Sequence, residues 1–547
     1  MMSEGLTLPL GWCCTSLEKI ATWGSGGTPS RNIERYFQGT IPWIKTGELG
    51  SMYIRDATEH ITEEALNNSS AKIFPKGSVG IAMYGATIGK LSIWGMDAST
   101  NQACAVGVPT EAISNEFLYY FLLAEKQKLI KAGKGGAQPN ISQSIVKEWP
   151  INLPPFPEQH RIVAKIEELF SELDKGIENL KTAQSQLKVY RQALLKHAFE
   201  GKLTAQWRAE RHAKQSVAPA KAGAQPLNDM DSRLPPAFAR VTGNDKPLES
   251  ADTLLKRIQQ ERAQRYQQQL ADWEASGKHG SKPKPPKTLP PLTAEELAEL
   301  PELPEGWGWV TLAHIQSHDK YAVKAGPFGS ALKKEFYVQD GYKIYGQEQV
   351  IRSDHEYGDY FVDERKFDEL ASCAVKPSDV LISLVGTIGK VLVLPETAKP
   401  GIINPRLVKI SLNLHCYRAN FFKAYFESGF LRSLYANESQ GTTMDILNLG
   451  MIQRLPYPLC SVIEQDKILE ILEEKFSEVD QLDQTITTAL QQAEALRQSI
   501  LKKAFSGQLV PQDPNDEPAS ELLARIRAER DAPSAKPKLT NTTRKSL

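Results

Sequence analysis

The chain lacks most of the features that mark a specialised class of protein. It has six cysteines (Cys13, Cys14, Cys104, Cys373, Cys416 and Cys460), none of them in a Cys-x-x-Cys pair. So few thiols without metal-ligand spacing argue against a structural zinc module and point to a reducing compartment, so the expected location is cytoplasmic. No apolar run approaches the roughly 20 residues that a membrane-spanning helix needs. The opening MMSEGLTLPLGW does not read as a signal peptide. Lys plus Arg and Asp plus Glu each number 65, so there is no net charge. A strongly basic balance would have pointed to nucleic acid, and composition here does not. At 547 residues, about two to four folded units are expected.

Catalytic signatures are missing as well. GATIGK (Gly85–Lys90) and VGTIGK (Val385–Lys390) resemble phosphate-cradling loops only superficially. A Walker loop sets four residues between its glycines and a Ser or Thr after the Lys. Here three residues separate Gly85 from Gly89, and Leu91 or Val391 follows, so a turn between strands is expected, with a Lys able to touch a DNA phosphate. LPPF (Leu153–Phe156) lacks the polar first residue with which an amino-methyltransferase motif binds its target amine. The nine histidines have no metal spacing, and His160 reads as a solvated or capping residue. No catalytic residue, cofactor site or metal site is expected on this chain.

What is present is present twice. LPLGW at Leu8 returns as LPEGW at Leu303, an offset of 295, and GATIGK returns as VGTIGK at an offset of 300. PEQHRIVAKIEELFSELDKGI from Pro157 returns as IEQDKILEILEEKFSEVDQLD from Ile463, an offset of 306 that holds to LLKHAFEGKL and ILKKAFSGQL. One part of the repeat therefore drifts in length and the other does not.

The constant part reads as a long helix. Ile162, Ile166, Leu169, Leu173, Ile177, Leu180, Leu187 and Leu194 recur at mostly three and four residues. Ile468, Leu472, Phe476, Val479, Leu482, Ile486, Ala493 and Ile500 do the same in the second copy. This is the pattern of a coiled-coil seam, although one amphipathic helix lying on a globular core would share it. Pro157 suits a helix start, Glu158 suits the positive end of the dipole, and Gly201 and Gly507 suit left-handed helix ends.

The drifting part reads as compact α/β. SVGIAMYG (Ser78–Gly85) and DVLISLVG (Asp379–Gly386) read as strands, while Glu116–Ile130 and Ala419–Tyr435 read as aromatic-rich helices. His212–Pro247 looks poorly ordered, Ser250–Arg262 matches Pro518–Arg530 as a short helix after each long one, and Lys278–Leu292 reads as an extended Pro/Lys linker. The expected organisation is a first α/β domain over 1–156, a long helix over 157–203, and a linker with its insert and short helix over 204–300. A second such domain follows over 301–462, a second long helix over 463–509, and a short helix with a loose tail over 510–547.

At this point the sequence resembles a known family. SGGTPSRNIERYFQGTIPWIKTGEL (Ser25–Leu49), GGAQPNIS (Gly135–Ser142) and LPPFPEQHRIVAKI (Leu153–Ile166) look like the first half of a type I restriction–modification specificity subunit. AGPFGSALKKEFY (Ala325–Tyr337), GYKIYGQEQV (Gly341–Val350) and FSGQL (Phe505–Leu509) look like its second half. SQGTTMDIL (Ser439–Leu447) departs from the GKGGAQPNI of the first copy, which makes the second module a different subtype. The resemblance implies an α/β fold with two target recognition domains separated by two long antiparallel coiled-coil helices, related by a pseudo-twofold repeat. It implies an asymmetric bipartite target on double-stranded DNA, read one half per domain. It also implies two methyltransferase subunits and restriction subunits as partners, which would use S-adenosylmethionine, ATP and Mg while this chain uses none.

Arg and Lys suit guanine, and Asn and Gln suit adenine. The candidate DNA-reading residues are therefore Arg31, Lys45, Lys90 and Gln138 in the first module and Lys333, Lys334, Arg352 and Lys390 in the second. Each taken alone is equally an ordinary solvated side chain. Two other readings stay open: a single-chain methyltransferase or nuclease with its own recognition domains, and a coiled-coil scaffold with no DNA role. Missing cofactor and metal motifs weigh against the first, and the duplicated α/β modules weigh against the second.

Overall fold

The computed structural model describes residues 8–133, 140–216, 248–286, 289, 291–384, 389–438 and 447–531. It divides into two compact units, one made of Met1–Thr182 with Thr485–Leu547 and the other of Ala183–Gln484.

The first unit holds β1 (Cys13–Ser16), β2 (Ala21–Ser25), β3 (Ile41–Ile44), β4 (Tyr53–Ile54), β5 (His60–Ile61), β6 (Val79–Ala82), β7 (Leu91–Trp94), β8 (Ser99–Thr100), β9 (Cys104–Pro109) and β10 (Pro150–Leu153). They form a five-stranded sheet in the order β2-β9-β6-β7-β4, a three-stranded sheet β5-β3-β8, and the ribbon β1-β10. The expected strands over Ser78–Gly85 and Asp379–Gly386 form at Val79–Ala82 and Val380–Ser383, with every residue buried. Strands buried on both faces read as unbroken apolar runs rather than alternating ones.

The second unit holds β11 (Gly308–Val310), β12 (Val323–Ala325), β13 (Tyr342–Tyr345), β14 (Phe361–Val362), β15 (Ala374–Val375), β16 (Val380–Ser383), β17 (Val391–Val393), β18 (Gly401–Ile403), β19 (Leu407–Ile410) and β20 (Tyr457–Leu459). Its sheets run β12-β19-β16-β17 and β14-β13-β18-β15, with the ribbon β11-β20. The first unit's β2-β9-β6-β7 and β5-β3-β8 return here strand for strand. The exceptions are β4, which has no counterpart, and β15, whose place in the first unit is taken by the isolated antiparallel bridge between Phe74 and Ala98.

The two long helices span Phe156–Phe199 and Val462–Ala504, each about 65 Å at 1.5 Å per residue. Each is fixed at its start by the same three side chains. Trp12 Nε1 donates to Glu158 at 3.1 Å, and Trp307 Nε1 donates to Glu464 at 3.0 Å. Gln159 accepts from the Ser114 amide and donates to the Ala112 and Pro154 carbonyls. Gln465 accepts from the Arg418 amide and donates to the Cys416 and Cys460 carbonyls. Burial pushes the Glu158 carboxyl above its ordinary value, against the opposing hydrogen bonds from Gln512 and Trp12.

The helix ends also match. Gly201 and Gly507 adopt φ of +66° and +71°, and a Cβ on either would come within 2.3 Å of Pro304 or Pro9. The repeated LPxGW segment thus closes over the end of a long helix in each unit. The Ala519 amide bonds the Gly11 carbonyl at 2.9 Å, and the Ala251 amide bonds the Gly306 carbonyl at 2.8 Å. This tethers the following helices, Ala519–Asp531 and Ala251–Ala275.

The long helices pack antiparallel inside each unit. In the second, Gln184 bonds Asp483 and Arg191 pairs with Asp480, so one chain descends as the other climbs. The Arg191 guanidinium also lies over Phe476, and in the first unit Arg497 lies over Phe170 and pairs with Asp174. The seam is buried at Ile162, Ile166, Leu194, Ile468, Leu472 and Ile500 toward the helix ends, and also at Val479 and Ala493. Between these, Leu173, Ile177, Leu180, Leu187 and Ile486 are half-buried. Leu482, expected in the seam, is 53% exposed. In a two-stranded stretch each seam side chain has cover from one partner only, so heptad spacing does not ensure burial.

Two further expectations are corrected. The segment expected as a short helix over Ser250–Arg262 runs 25 residues, to Ala275. Ser250 caps it, and no Gly or Pro interrupts it before Gly277. The aromatic helix expected over Ala419–Tyr435 breaks into Ala419–Phe426 and Gly429–Glu438, where Ser428–Gly429 disfavours continuation. Most of the His212–Pro247 insert, from 217 to 247, lies outside the described residues, as do 385–388 of the second turn, 439–446 and the tail from 532.

Candidate nucleic-acid interface

In each unit the two main sheets meet at one rim, and its backbone is built the same way twice. The turn after β2 passes so close to the β8–β9 connection that a Cβ on Gly26 would lie 1.9 Å from the Thr100 carbonyl oxygen. A Cβ on Gly326 would lie 1.9 Å from the Asn404 carbonyl oxygen. The Asn101 amide donates to Ile44 O, at the exit of β3, and the Asn404 amide donates to Tyr345 O, at the exit of β13. The Asn101 carboxamide accepts from the Ala103 amide and that of Asn404 from the Arg406 amide. Met83, leaving β6, bonds the Ala103 carbonyl, and Leu384, leaving β16, bonds that of Arg406. In the first unit the chain then enters the Gly-containing turn that ends at Lys90; in the second, Gly389 and Lys390 lead into β17, with 385–388 outside the described residues. Gly89 and Gly389, at φ of +73° and +75°, supply the left-handed step.

On this shared frame the side chains differ. In the first unit Thr28 and Gln102 hydrogen-bond each other on the rim. Arg31 and Lys45 both pair with Glu59, at 2.6 and 2.7 Å, and the Arg31 guanidinium covers the Phe37 and Trp43 rings. The Lys45 ammonium, then Arg31, hold the Glu59 carboxyl below its ordinary value. In the second unit Phe328 takes the place of Thr28, Pro405 of Gln102, Arg406 of Ala103 and Gly346 of Lys45. Tyr360, whose carbonyl accepts from Ile344 as that of Glu59 accepts from Trp43, replaces the carboxylate. Its ring lies 5.7 Å from that of Tyr337. One rim carries a charged cluster, the other aromatic rings.

Arg31, Lys45 and Lys90 therefore share one rim, and the first two are joined through Glu59. Gln138 lies outside the described residues. In the second unit Lys390 immediately precedes β17. Lys333 and Lys334 are exposed on the helical turn Lys334–Phe336, with Lys333 3.5 Å from Glu335. Arg352 ends the helix Gln347–Arg352 with its guanidinium over Tyr357. The loop beyond it is held by Lys343, whose Nζ donates to the Glu356 and Gly358 carbonyls. Burial, then Lys399, lowers the Lys343 pKa. Sequence reasoning missed Thr28, Gln102, Phe328 and Arg406. Aligning Ser25–Ser30 on Ala325–Ser330 and Asn101 on Asn404 would have found them.

His160 is exposed, its ring edge-on to Phe156 at 4.9 Å. Among the described residues no cluster of three or more His, Cys, Asp or Glu side chains is placed to hold a metal ion. No described helix is long and apolar enough to cross a membrane.

A family profile described as the type I restriction modification DNA specificity domain matches residues 9–182. The EcoR124I/EcoR124II specificity subunit of Escherichia coli is 30% identical over 189 residues, covering 33% of this chain and 47% of that one. The MjaIX specificity subunit of Methanocaldococcus jannaschii is 31% identical over 198 residues, covering 35% and 44%. The matched stretch thus spans about half the length of these two relatives. The Escherichia coli EcoDI specificity subunit is 21% identical across 98% of both chains. A solved chain from work on complex assembly and conformational transition of the type I R-M system shares the fold, with a TM-score of 0.59 at 17% identity. It covers 92% of this chain and 100% of that one. Residues 9–182 thus match a type I restriction–modification DNA specificity domain, and the chain resembles a type I specificity subunit from end to end.

Proposed function

We propose that this chain reads a bipartite, asymmetric DNA target, one half with each rim, and does no chemistry itself. The observation that carries this reading is the double rim: one backbone frame, built twice, with different side chains on it. A frame repeated for stability alone would have no need of different exposed groups at matching positions. Reading two different short sequences needs just that, because base identity is read by side chains and the frame only positions them.

The roles of the candidates follow from their surroundings. Arg31 and Lys45 are held in place by Glu59, which presents two oriented cations rather than two mobile ones. Lys90 and Lys390, at equivalent positions of the repeat, are suited to phosphates, and so are Lys333 and Lys334. Arg352, braced on Tyr357, is suited to a guanine edge. With no net charge on the chain, partner subunits would supply much of the phosphate neutralisation that drives affinity. We assign those partners as two methyltransferase subunits, joined by restriction subunits for cleavage, in the cytoplasm. S-adenosylmethionine, ATP and Mg would be theirs. The two modules at 1–156 and 301–462 would be the recognition domains, and the helices between them the spacer.

The test is methylation mapping of a host that expresses this chain with its cognate methyltransferase subunit. The expected result is adenine methylation at one asymmetric split sequence, with none when either protein is expressed alone. Methyl transfer by the purified chain alone would contradict the non-catalytic assignment. A continuous target would contradict the two-rim assignment.

A further inference from the structure

Phe328 is the most exposed large apolar side chain among the described residues, at 87%. Leaving a Phe in water forgoes about 2 kcal/mol of burial energy, and a single exposed apolar residue is by itself unremarkable. Its setting is what singles it out. Phe328 stands on a rim whose backbone is fixed on all sides. Gly326 lies against the Asn404 carbonyl, its amide bonds Leu407 O at 2.9 Å, and the Phe328 carbonyl accepts from Ala331 at 3.3 Å. The neighbouring Arg406 is exposed, with no carboxylate partner among the described residues.

The other unit supplies the control. At the equivalent place Thr28 leans onto Gln102 and the two satisfy each other. Where unit one has that polar pair, unit two has Phe328 and Pro405 at the equivalent positions, and Pro405 offers no side-chain hydrogen bond. Tyr360, half exposed at 49%, and Tyr337 add two further rings near the start of the same sheet. An exposed ring on a tied backbone, with the exposed Arg406 on the adjoining segment of the same rim, is complementary to a stacked base beside its phosphate.

We propose that Phe328 packs against the face of a base in the half-site read by the second unit, opening one base step there, while Arg406 holds the adjoining phosphate. The first unit makes no such contact, since its equivalent residue is Thr28. This rests on the DNA-reading function proposed above. It assigns to one rim a way of gripping DNA by unstacking as well as by hydrogen bonds, and apolar wedges of this kind open base steps in other proteins.

The experiment uses the full chain assembled with its methyltransferase subunit and duplexes carrying the mapped target. 2-Aminopurine is placed in turn at each position of both halves except the adenines that are methylated, which a methyltransferase extrudes from the duplex itself. The expected result is a fluorescence rise on binding at one step in the half read by the second unit, lost in Phe328→Ala and Phe328→Thr and kept in Phe328→Trp. Phe328→Ala should weaken binding about fivefold to a hundredfold, the range that base–aromatic stacking covers. The salt dependence of binding should stay unchanged, because no phosphate contact is removed. Arg406→Ala should instead lower that dependence. Because Phe328 is exposed, the Ala variant should melt with the parent. Binding by Phe328→Ala within twofold of the parent, or a fluorescence rise that survives the substitution, would overturn the proposal and leave the two-rim reading standing. Failure of the parent complex to discriminate the target from unrelated DNA would overturn both.

Discussion

Trp12 and Trp307 have the same task in the two units, and Thr28 and Phe328 do not. Each tryptophan donates to the glutamate that opens a long helix, each glutamine beyond it ties the same three backbone groups, and each closing glycine lies under a proline. These contacts are buried, so a change would leave polar groups without partners. At the rim nothing comparable constrains the side chains. Glu59 with its two cations has Tyr360 as its counterpart in the other unit's sequence, and Gln102 has Pro405. The comparison separates what the fold needs from what a target would need: differences are tolerated where water can replace a lost partner, and not where it cannot.

Several changes would break or sharpen that comparison. The largest effect is expected from lengthening both helices. A heptad inserted near Gln184 and a second at its partner Asp483 should abolish methylation at the original sites. Methylation should move to sites whose central gap is about three base pairs longer, since seven residues add about 10 Å. Methylation mapping of the insertion strain checks this, and unchanged spacing would mean that the helices do not set the gap.

Next come the buried glutamines. Gln159→Ala and Gln465→Ala should each cost about 3 kcal/mol in denaturant unfolding, because each strands one amide and two carbonyls. Equal losses would support one shared frame; a large loss at one and none at the other would show that the frames differ energetically. Smaller still are the seam arginines. Arg191→Ala and Arg497→Ala each remove an ion pair and a ring contact, for about 0.5–1 kcal/mol apiece.

The smallest effect is electrostatic and confined to one rim. Glu59 is held ionised by Lys45 and Arg31, so its stabilising contribution is complete above the ordinary carboxylate range and lost as pH falls through its depressed value. Hydrogen exchange at the Trp43 amide, which bonds the Glu59 carbonyl, should accelerate in acid more than exchange at the Ile344 amide. Glu59→Gln should remove that extra acid sensitivity.

How much of this was legible in the sequence depended on periodicity. The long helices, their glycine ends and the strands at Val79 and Val380 were readable because burial imposes spacing on apolar residues. Leu482 misled because a two-helix seam covers its members only in part. The break at Ser428 passed unnoticed within an aromatic run. The rim was mostly illegible, because its frame consists of backbone bonds to Asn101 and Asn404, which lie far in sequence from the turns they hold. Candidates chosen by charge included Arg31 and Lys45 on the rim but could not include Phe328, which stands out by its exposure.

The central claim, that one frame carries two independent readers, is tested most directly by exchanging them. Replacing residues 301–462 with a copy of 1–156, in the full chain with its methyltransferase subunit, keeps both helices and both sets of buried contacts. Methylation mapping should then return a palindromic split target made of two copies of the half read by the first rim. A swapped protein that folds, assembles and still methylates the original asymmetric site would contradict the account.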